Sequence, residues 1–531
     1  MMVLCRPEAA ELLRAMTGDP RADADPAALT VPAERCGRLP LALVPAAENI
    51  VSCRHPSADR LAAGVSHDEA VRLPRDPAGG RSGGTGRGTG PVRPAGGRAR
   101  PRHPRPGRPR RDPLGRCPGA TSRCGSTPTE SWNGNMDIEA LRHDTPGTAN
   151  RLHLNNAGAG LLSRGTLRTV TAHLELEAAI GGYEAADQER ERIDAVHEHI
   201  ARLVGGRADE VALFDNATHA WNAAFYSMEF KPGDRILTGR AEYGSNVLAY
   251  LQTARRTGAE VVVVPDDDSG RLDTTALANL IDDRCKLVGV THVPTSGGLV
   301  NPVAEIGRVT RAAGVPFLLD ATQSVGQFPV DVAEVGCDML SATGRKFLRG
   351  PRGTGFLWVR TEALGHLEPH VAETASATWD GGRGFTWHDG ARRFDTWEVS
   401  YANTLGLGAA VQEALDLGID EIGRRARALG ARLRDGLDAL PGVSTHDLGT
   451  RRCAIVTCKV DGMAAADTAT ALAEQGINVS VTDPKQTQFD TENRGVHPLV
   501  RLSPHYYNTE AEIDRTVEVL AELATARGRS R

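Results

Sequence analysis

Lysine is scarce in this sequence, so each position is informative. Five occur, at Lys231, Lys286, Lys346, Lys459 and Lys485. Lys231 stands in the turn KPGD, Lys286 opens a strand after DDRC, Lys459 falls at a strand end and Lys485 lies in the polar loop DPKQTQ. Only Lys346 follows an apolar run expected in a sheet core. It sits in LSATGRKFLRGPRGTGF with Arg345, Arg349 and Arg352 around it. A lysine amine forms Schiff bases with carbonyl compounds once nearby cations or loss of water lower its pKa, and Arg345 and Arg349 are such neighbours. The plainer alternative is an ordinary lysine in an anion-binding turn.

Two further strand ends carry chemistry. FLLD closes on Asp320, a carboxylate after apolar residues that needs a cation or several donors to stay ionised. LFDNAT runs into a helix whose first turn holds Asn216, Ala217 and Thr218, where free N–H groups and a hydroxyl suit an anion. The basic, glycine-rich stretch is not a nucleotide loop, because no GxxxxGK[ST] fits and its lysine precedes the glycines. No GxGxxG follows the first strand either. An anion-binding helix start, a half-buried Asp and a nucleophilic lysine together describe a site for pyridoxal 5'-phosphate (PLP).

The elements that would position these residues alternate from about residue 210 onward. EVALFD, DRILTG, EVVVVPDD, KLVGVTHV, VPFLLD and CDMLSATG read as strands, separated by helical segments such as SNVLAYLQTARRTG and PVAEIGRVTRAAG. This βαβ succession predicts an α/β fold with a large, mostly parallel sheet wrapped by helices, and reactive groups at the strands' carboxyl ends. After Tyr401, long helical segments alternate with strands such as CAIVTCKV and INVSV, which suits a smaller α+β domain. The expected division is 136–400 for the large domain with its N-terminal arm and 401–531 for the small one.

Residues 1–135 contain 21 arginines and no lysine against 13 acidic residues, a balance of +8, which leaves −13 for the remainder. That acidic remainder argues against a nucleic-acid surface there. From Pro74 the sequence is Arg, Pro and Gly with almost no large apolar side chain, so 74–135 reads as a disordered linker. Within 1–73, ERCGRLPLAL resembles the GLPLAL motif of regulatory NTPases, but no phosphate loop precedes it, and it reads as a remnant. Nine cysteines are too sparse for a disulfide scaffold, and their spacing does not suit zinc. Neither a signal peptide nor a bilayer-spanning run is evident, so no membrane role is expected and the cytosol is the default compartment.

LDATQSVGQFPVDVAEVGCDMLSATGRKFLRGPRGTGFLWV resembles the class V aminotransferase family of fold-type I PLP enzymes, which includes cysteine desulfurases and isopenicillin N epimerases. The resemblance runs from about His153 to Leu523 and centres on a D-x-x-Q…[ST]-G-x-K core. It implies that Lys346 holds the PLP aldehyde, that Asp320 pairs with the pyridine nitrogen and that Gln323 bonds the phenolic oxygen. Thr218 and Thr343 would hold the phosphate, with Ala217 beside them, and Arg345 stands where many members have His. Tyr243, in AEYGSN, would stack on the ring. Arg501 would bind the substrate carboxylate, and Asn156 would approach the substrate. His292, at a strand end near the expected cofactor, reads as polar support or core packing rather than as a catalyst. Members are dimers, which implies a homodimer with RRFDTWEVSYAN near the neighbouring phosphate.

Desulfurases carry a nucleophilic Cys shortly before the substrate arginine. Here that region reads QTQFDTENRGVHPLV, and no Cys follows Cys458. On that ground a cysteine desulfurase ranks below other outcomes. EYGSN, RKFLRGPRGTG and IGGYEAAD look most like the hercynylcysteine sulfoxide lyase branch, so a C–S lyase is the preferred expectation, with a small amino acid or cysteine conjugate as substrate. An epimerase or aminotransferase would use the same residues. A regulatory or nucleic-acid-binding protein is the non-enzyme alternative.

Overall fold

Strands buried on both faces dominate the centre of the molecule, a consequence of apolar runs without polar alternation. The computed structural model describes residues 136–528 except His497. The readings of 1–73 and 74–135 lie outside the described residues. All the described residues fall within a single unit, Ala120–Arg531.

The principal sheet has seven strands: β1 (Val211–Phe214), β2 (Arg235–Thr238), β3 (Glu260–Val263), β4 (Cys285–Thr291), β5 (Phe317–Asp320), β6 (Met339–Thr343) and β7 (Gly355–Val359). Their spatial order is β1-β7-β6-β5-β4-β2-β3. Strands β2 to β6 pair in parallel, whereas β7 runs antiparallel to both β6 and β1. The mostly parallel sheet expected from the βαβ pattern is present, with β7 as its reversed member. Every residue of β5, β6 and β7 is buried.

Helices flank this sheet: α1 (Arg164–Ile180), α2 (Arg190–Val204), α3 (Ala217–Phe225), α4 (Gly244–Thr257) and α5 (Val303–Ala313). Ser163 caps α1 by accepting from the Thr166 N–H, and Asn216 caps α3 by accepting from the His219 N–H. Such caps satisfy amides that the first helical turn leaves free. Helix α6 (Tyr401–Leu417) packs on α1 and α2, and its Leu407, Val411 and Ala414 join the same core as Val288, Phe317 and Leu340 of the large sheet. The sequence boundary at 401 therefore marks where helices resume, while the packing keeps α6 with the large sheet.

Beyond α7 (Ile419–Asp438), an antiparallel sheet forms from β8 (Val443–Thr445), β9 (Val456–Val460), β10 (Ser480–Val481) and β11 (Val500–Leu502), in the order β8-β9-β11-β10. Helices α8 (Ala465–Glu474) and α9 (Glu510–Gly528) accompany it. INVSV, read as one strand, is divided. Ile477–Asn478 pairs in parallel with Leu152–His153, while Ser480–Val481 pairs with β11. The N-terminal arm takes the first half of the run, so the break follows from competition between two pairing partners. CAIVTCKV also pairs only from Val456 onward. The Cys453 N–H donates to the Gly298 carbonyl, and the Ala454 N–H to Gln327 Oε1.

Candidate active site

The carboxyl ends of β1, β2, β4, β5 and β6 converge on a cleft of about 630 Å³, including the space open to solvent. Lys346, Asp320, Gln323, Thr218, Ala217, Thr343, Arg345 and Tyr243 line it together. Residues separated by more than 120 positions meet because a parallel sheet delivers all its strand ends to one edge.

Lys346 follows β6 and is only 8% exposed. Burial first, then the guanidinium of Arg345, lowers its amine from the ordinary lysine range to about 7; Arg501 pushes the same way and Asp320 opposes. A substantial neutral fraction therefore exists at neutral pH. The turn after Lys346 is held from two sides. Gly160 lies so close to it that a Cβ there would stand 2.6 Å from the Lys346 carbonyl oxygen. Arg349 has φ near 60°, a backbone region a non-glycine residue seldom adopts. Its side chain donates to the Leu161 carbonyl and Thr145 Oγ1 and pairs with Glu413, and it approaches the faces of Tyr506 and Tyr507. These contacts hold the turn in that conformation.

Asp320 ends β5. Its Oδ1 accepts from the Thr322 N–H at 2.9 Å, and its Oδ2 from Asn246 Nδ2 at 3.1 Å. On the opposite wall, Asn216 turns the chain into α3, so the first amides of the helix face the cleft beside Ala217 and Thr218. Gly355 of β7 permits this approach, because a Cβ there would lie 2.5 Å from the Asn216 carbonyl carbon. The Thr343 hydroxyl lines the same cleft and donates to the Thr354 carbonyl at 2.9 Å.

Arg501 comes from β11 and is 7% exposed. Its Nη1 donates to the Thr295 carbonyl and Oγ1 at 2.9 and 2.8 Å, leaving Nε buried and unpartnered. Burial lowers its pKa to about 10, with Arg345 pushing the same way. Gln323 Nε2 donates to Thr295 Oγ1 and the Ala157 carbonyl, both at 3.1 Å, while its Oε1 has no partner.

Three expected site residues do not line the cleft: Arg501, which stands behind Thr295, and His292 and Asn156. His292 follows Thr291 and precedes Val293, both of which line it, and strand alternation turns the imidazole away. Its ring packs edge-on against Phe328 at 5.3 Å, and burial lowers its pKa to about 3. Asn156 is wholly buried and already bonded. Its Nδ2 donates to the Ser503 carbonyl at 2.8 Å, and its Oδ1 accepts from the Tyr507 hydroxyl at 2.5 Å. It ties the N-terminal arm to the C-terminal region, and the adjacent Asn155 is the residue whose Oδ1 meets Arg501.

The structure also places Thr295, Thr291, Thr322 and Asn246 in the cleft wall, none of them singled out by sequence. Asn246 had a usable signal, lying one helical turn beyond Tyr243 in EYGSN.

A family model for class-V aminotransferases matches residues 154–516. The chain belongs to the aminotransferase class-V family. A probable cysteine desulfurase of Methanothermobacter thermautotrophicus is 28% identical over 397 residues, covering 73% of this chain and 98% of that one. A cysteine desulfurase of Haloferax volcanii is 30% identical over 357 residues, covering 66% and 80%. The solved structure of C-DES with glycine covalently linked to its PLP cofactor superposes with a TM-score of 0.65 at 25% identity, covering 72% of this chain and 98% of that one.

The chain is thus a PLP-dependent enzyme with the fold-type I architecture. The preference for a hercynylcysteine sulfoxide lyase or an epimerase is overturned, because the relatives are consistently cysteine desulfurases, the outcome ranked lower on the missing loop cysteine. The similarity to cysteine desulfurases spreads along the whole domain, whereas the likeness to the lyase branch is confined to short motifs. The residues present fit PLP. A buried carboxylate, a helix start free to receive an anion, a buried amine and the unpartnered Gln323 Oε1 and Thr322 Oγ1 all meet at one cleft.

Proposed function

We propose that this protein removes sulfur from cysteine, as a PLP-dependent cysteine desulfurase. The observation that carries the reading is the placement of Lys346, buried, with its amine lowered to about 7, in one cleft with Asp320 and beside Arg501. The identity of the relatives supplies the substrate class.

When bound, PLP acts as an electron sink that makes bonds at the substrate's α-carbon labile. The residues of this chain do the rest. Asp320 keeps the ring nitrogen protonated, and the α3 start with Thr218 and Thr343 receives the phosphate. Tyr243 and Gln323, which line the same cleft, would contact the ring and its phenolic oxygen. Arg501 takes the substrate carboxylate in a two-pronged grip, with Thr295 fixing the guanidinium. Lys346 Nζ, with a substantial neutral fraction near pH 7, accepts the proton from the substrate α-carbon and later returns one.

The sulfur acceptor is an external thiol. Among the described residues the cysteines are Cys285, Cys337, Cys453 and Cys458; all are buried and none lines the cleft. Burial pushes the Cys285 thiol up to about 11 and those of Cys453 and Cys458 up to about 12, away from the thiolate a sulfur carrier needs. C-DES, described as a cystine C–S lyase, was solved with its reaction product cysteine persulfide, so a structural neighbour at 25% identity releases its sulfur as a small-molecule persulfide. The reaction balances as cysteine plus a thiol RSH giving alanine plus the persulfide RSSH.

The test is to incubate PLP-loaded protein with L-cysteine and dithiothreitol and to quantify the products. Alanine equal to the sulfur released supports the reading. Pyruvate and ammonia in place of alanine would overturn it.

A further inference from the structure

Behind Asp320 lies a second buried carboxylate that the mechanism above does not use. Glu242 is 2% exposed and lies between β2 and α4. Five donors converge on it. Its Oε1 accepts from the Tyr243 N–H at 2.9 Å, from Asn246 Nδ2 at 2.8 Å and from the Thr291 hydroxyl. Its Oε2 accepts from the Thr291 N–H at 3.0 Å and the Thr238 hydroxyl at 3.1 Å. All five are neutral, and among the described residues no cation forms an ion pair with it.

The Asn246 amide joins this group to the cofactor site. Its nitrogen carries two hydrogens, one directed to Glu242 Oε1 and the other to Asp320 Oδ2. Asp320 Oδ1 is held separately by Thr322. The side chain of Asp320 is thereby fixed at both oxygens. A pair of buried carboxylates with neutral partners is costly, since each loses hydration without a compensating charge. Burial and the nearness of Asp320 push Glu242 up to about 7, against the pull of its donors. Its other titratable neighbour is Tyr250 of α4, whose phenol is pushed up in turn by burial and by Glu242. Lys346 faces Asp320 but not Glu242 among its charge partners. A positive ring nitrogen seated on Asp320 would supply the missing charge.

We propose that Glu242 is a positioning residue for the cofactor partner Asp320, acting through Asn246 to orient that carboxylate and to add a second negative charge behind the protonated ring nitrogen. The inference rests on the PLP reading of the cleft, but not on which amino acid is the substrate.

The experiment compares PLP binding by wild type, Glu242→Gln and Asn246→Ala apoprotein at pH 8, followed by absorbance, together with the pH midpoint of the visible band of each loaded protein. Circular dichroism and thermal melting check folding. Both variants are expected to bind PLP about tenfold more weakly, equivalent to about 1.4 kcal/mol. The absorbance midpoint of Glu242→Gln is expected to move to lower pH, since removing negative charge disfavours protonation. The double variant should be little worse than the weaker single, because the two residues act as one relay. Should Glu242→Gln not fold, Asn246→Ala decides alone. Folded variants that match wild type within twofold, with unmoved midpoints, overturn the proposal. Wild type that binds no PLP would instead sink the reading of the cleft itself.

Discussion

Lys346 governs the behaviour of the site through its protonation. Its folded-state pKa of about 7 lies below the ordinary lysine value of 10.5, so the unfolded chain holds the extra proton between these limits. This group therefore makes the apoprotein more stable as pH rises from about 7 towards 10.5, and its penalty is fully present below pH 7. Lys346→Met, which keeps an unbranched chain without charge, should stabilise the apoprotein at pH 6 by on the order of 2–4 kcal/mol and by little at pH 10. Denaturant melts at the two pH values check this; equal effects at both would contradict the lowered amine. The rate of PLP uptake by wild type should rise through pH 7 for the same reason, since only the neutral amine attacks an aldehyde. Lys346 and Asp320 stand out in the sequence because each pairs a distinctive residue type with a strand end, whereas Arg501, in mid-strand, is pointed to only by the family resemblance. His292 and Asn156 were misplaced because position in a motif does not say which face of the strand a side chain takes or what already holds it.

At the scale of elements, the cofactor cradle depends on β7 passing under the start of α3. Gly355 is the contact point, with no room for a Cβ against the Asn216 backbone. Gly355→Ala should displace the helix start, cost about 1–3 kcal/mol in stability, and weaken PLP binding more than Gly365→Ala, a glycine with open space around its Cβ position and no positive φ. Thermal melts and PLP titration of both variants measure this, and equal losses would show that the contact does not shape the site. The alternation of strands and helices was readable because fully apolar runs and helical spacing differ in period. The reversal of β7 and the division of INVSV were not, since both depend on partners distant in sequence. The Glu242–Asn246–Asp320 relay was hidden for the same reason.

For the whole molecule, the residues assigned to the cleft all lie within the stretch 154–516 that the family model matches. The fragment 136–531 should fold, bind PLP and release sulfur from cysteine at a rate within about twofold of the full chain. Loss of PLP binding on truncation would assign 1–135 a part in the site. The segment after β7 leaves the large apolar side chains of Val371, Trp379, Phe385 and Trp397 exposed. If a second copy covers these side chains, light scattering during gel filtration should give twice the chain mass. Trp379→Asp with Trp397→Asp should yield monomers; a monomeric wild type would contradict it. Among the described residues no helix is long and apolar enough to cross a membrane.

The central claim is that PLP is held by Lys346. Reducing PLP-loaded protein with borohydride fixes the cofactor to whichever lysine carries it, and peptide mass mapping then locates the label. The account predicts the label on the peptide containing Lys346 and its loss in Lys346→Ala; label on Lys231, Lys286, Lys459 or Lys485, with Lys346 unmodified, would contradict it.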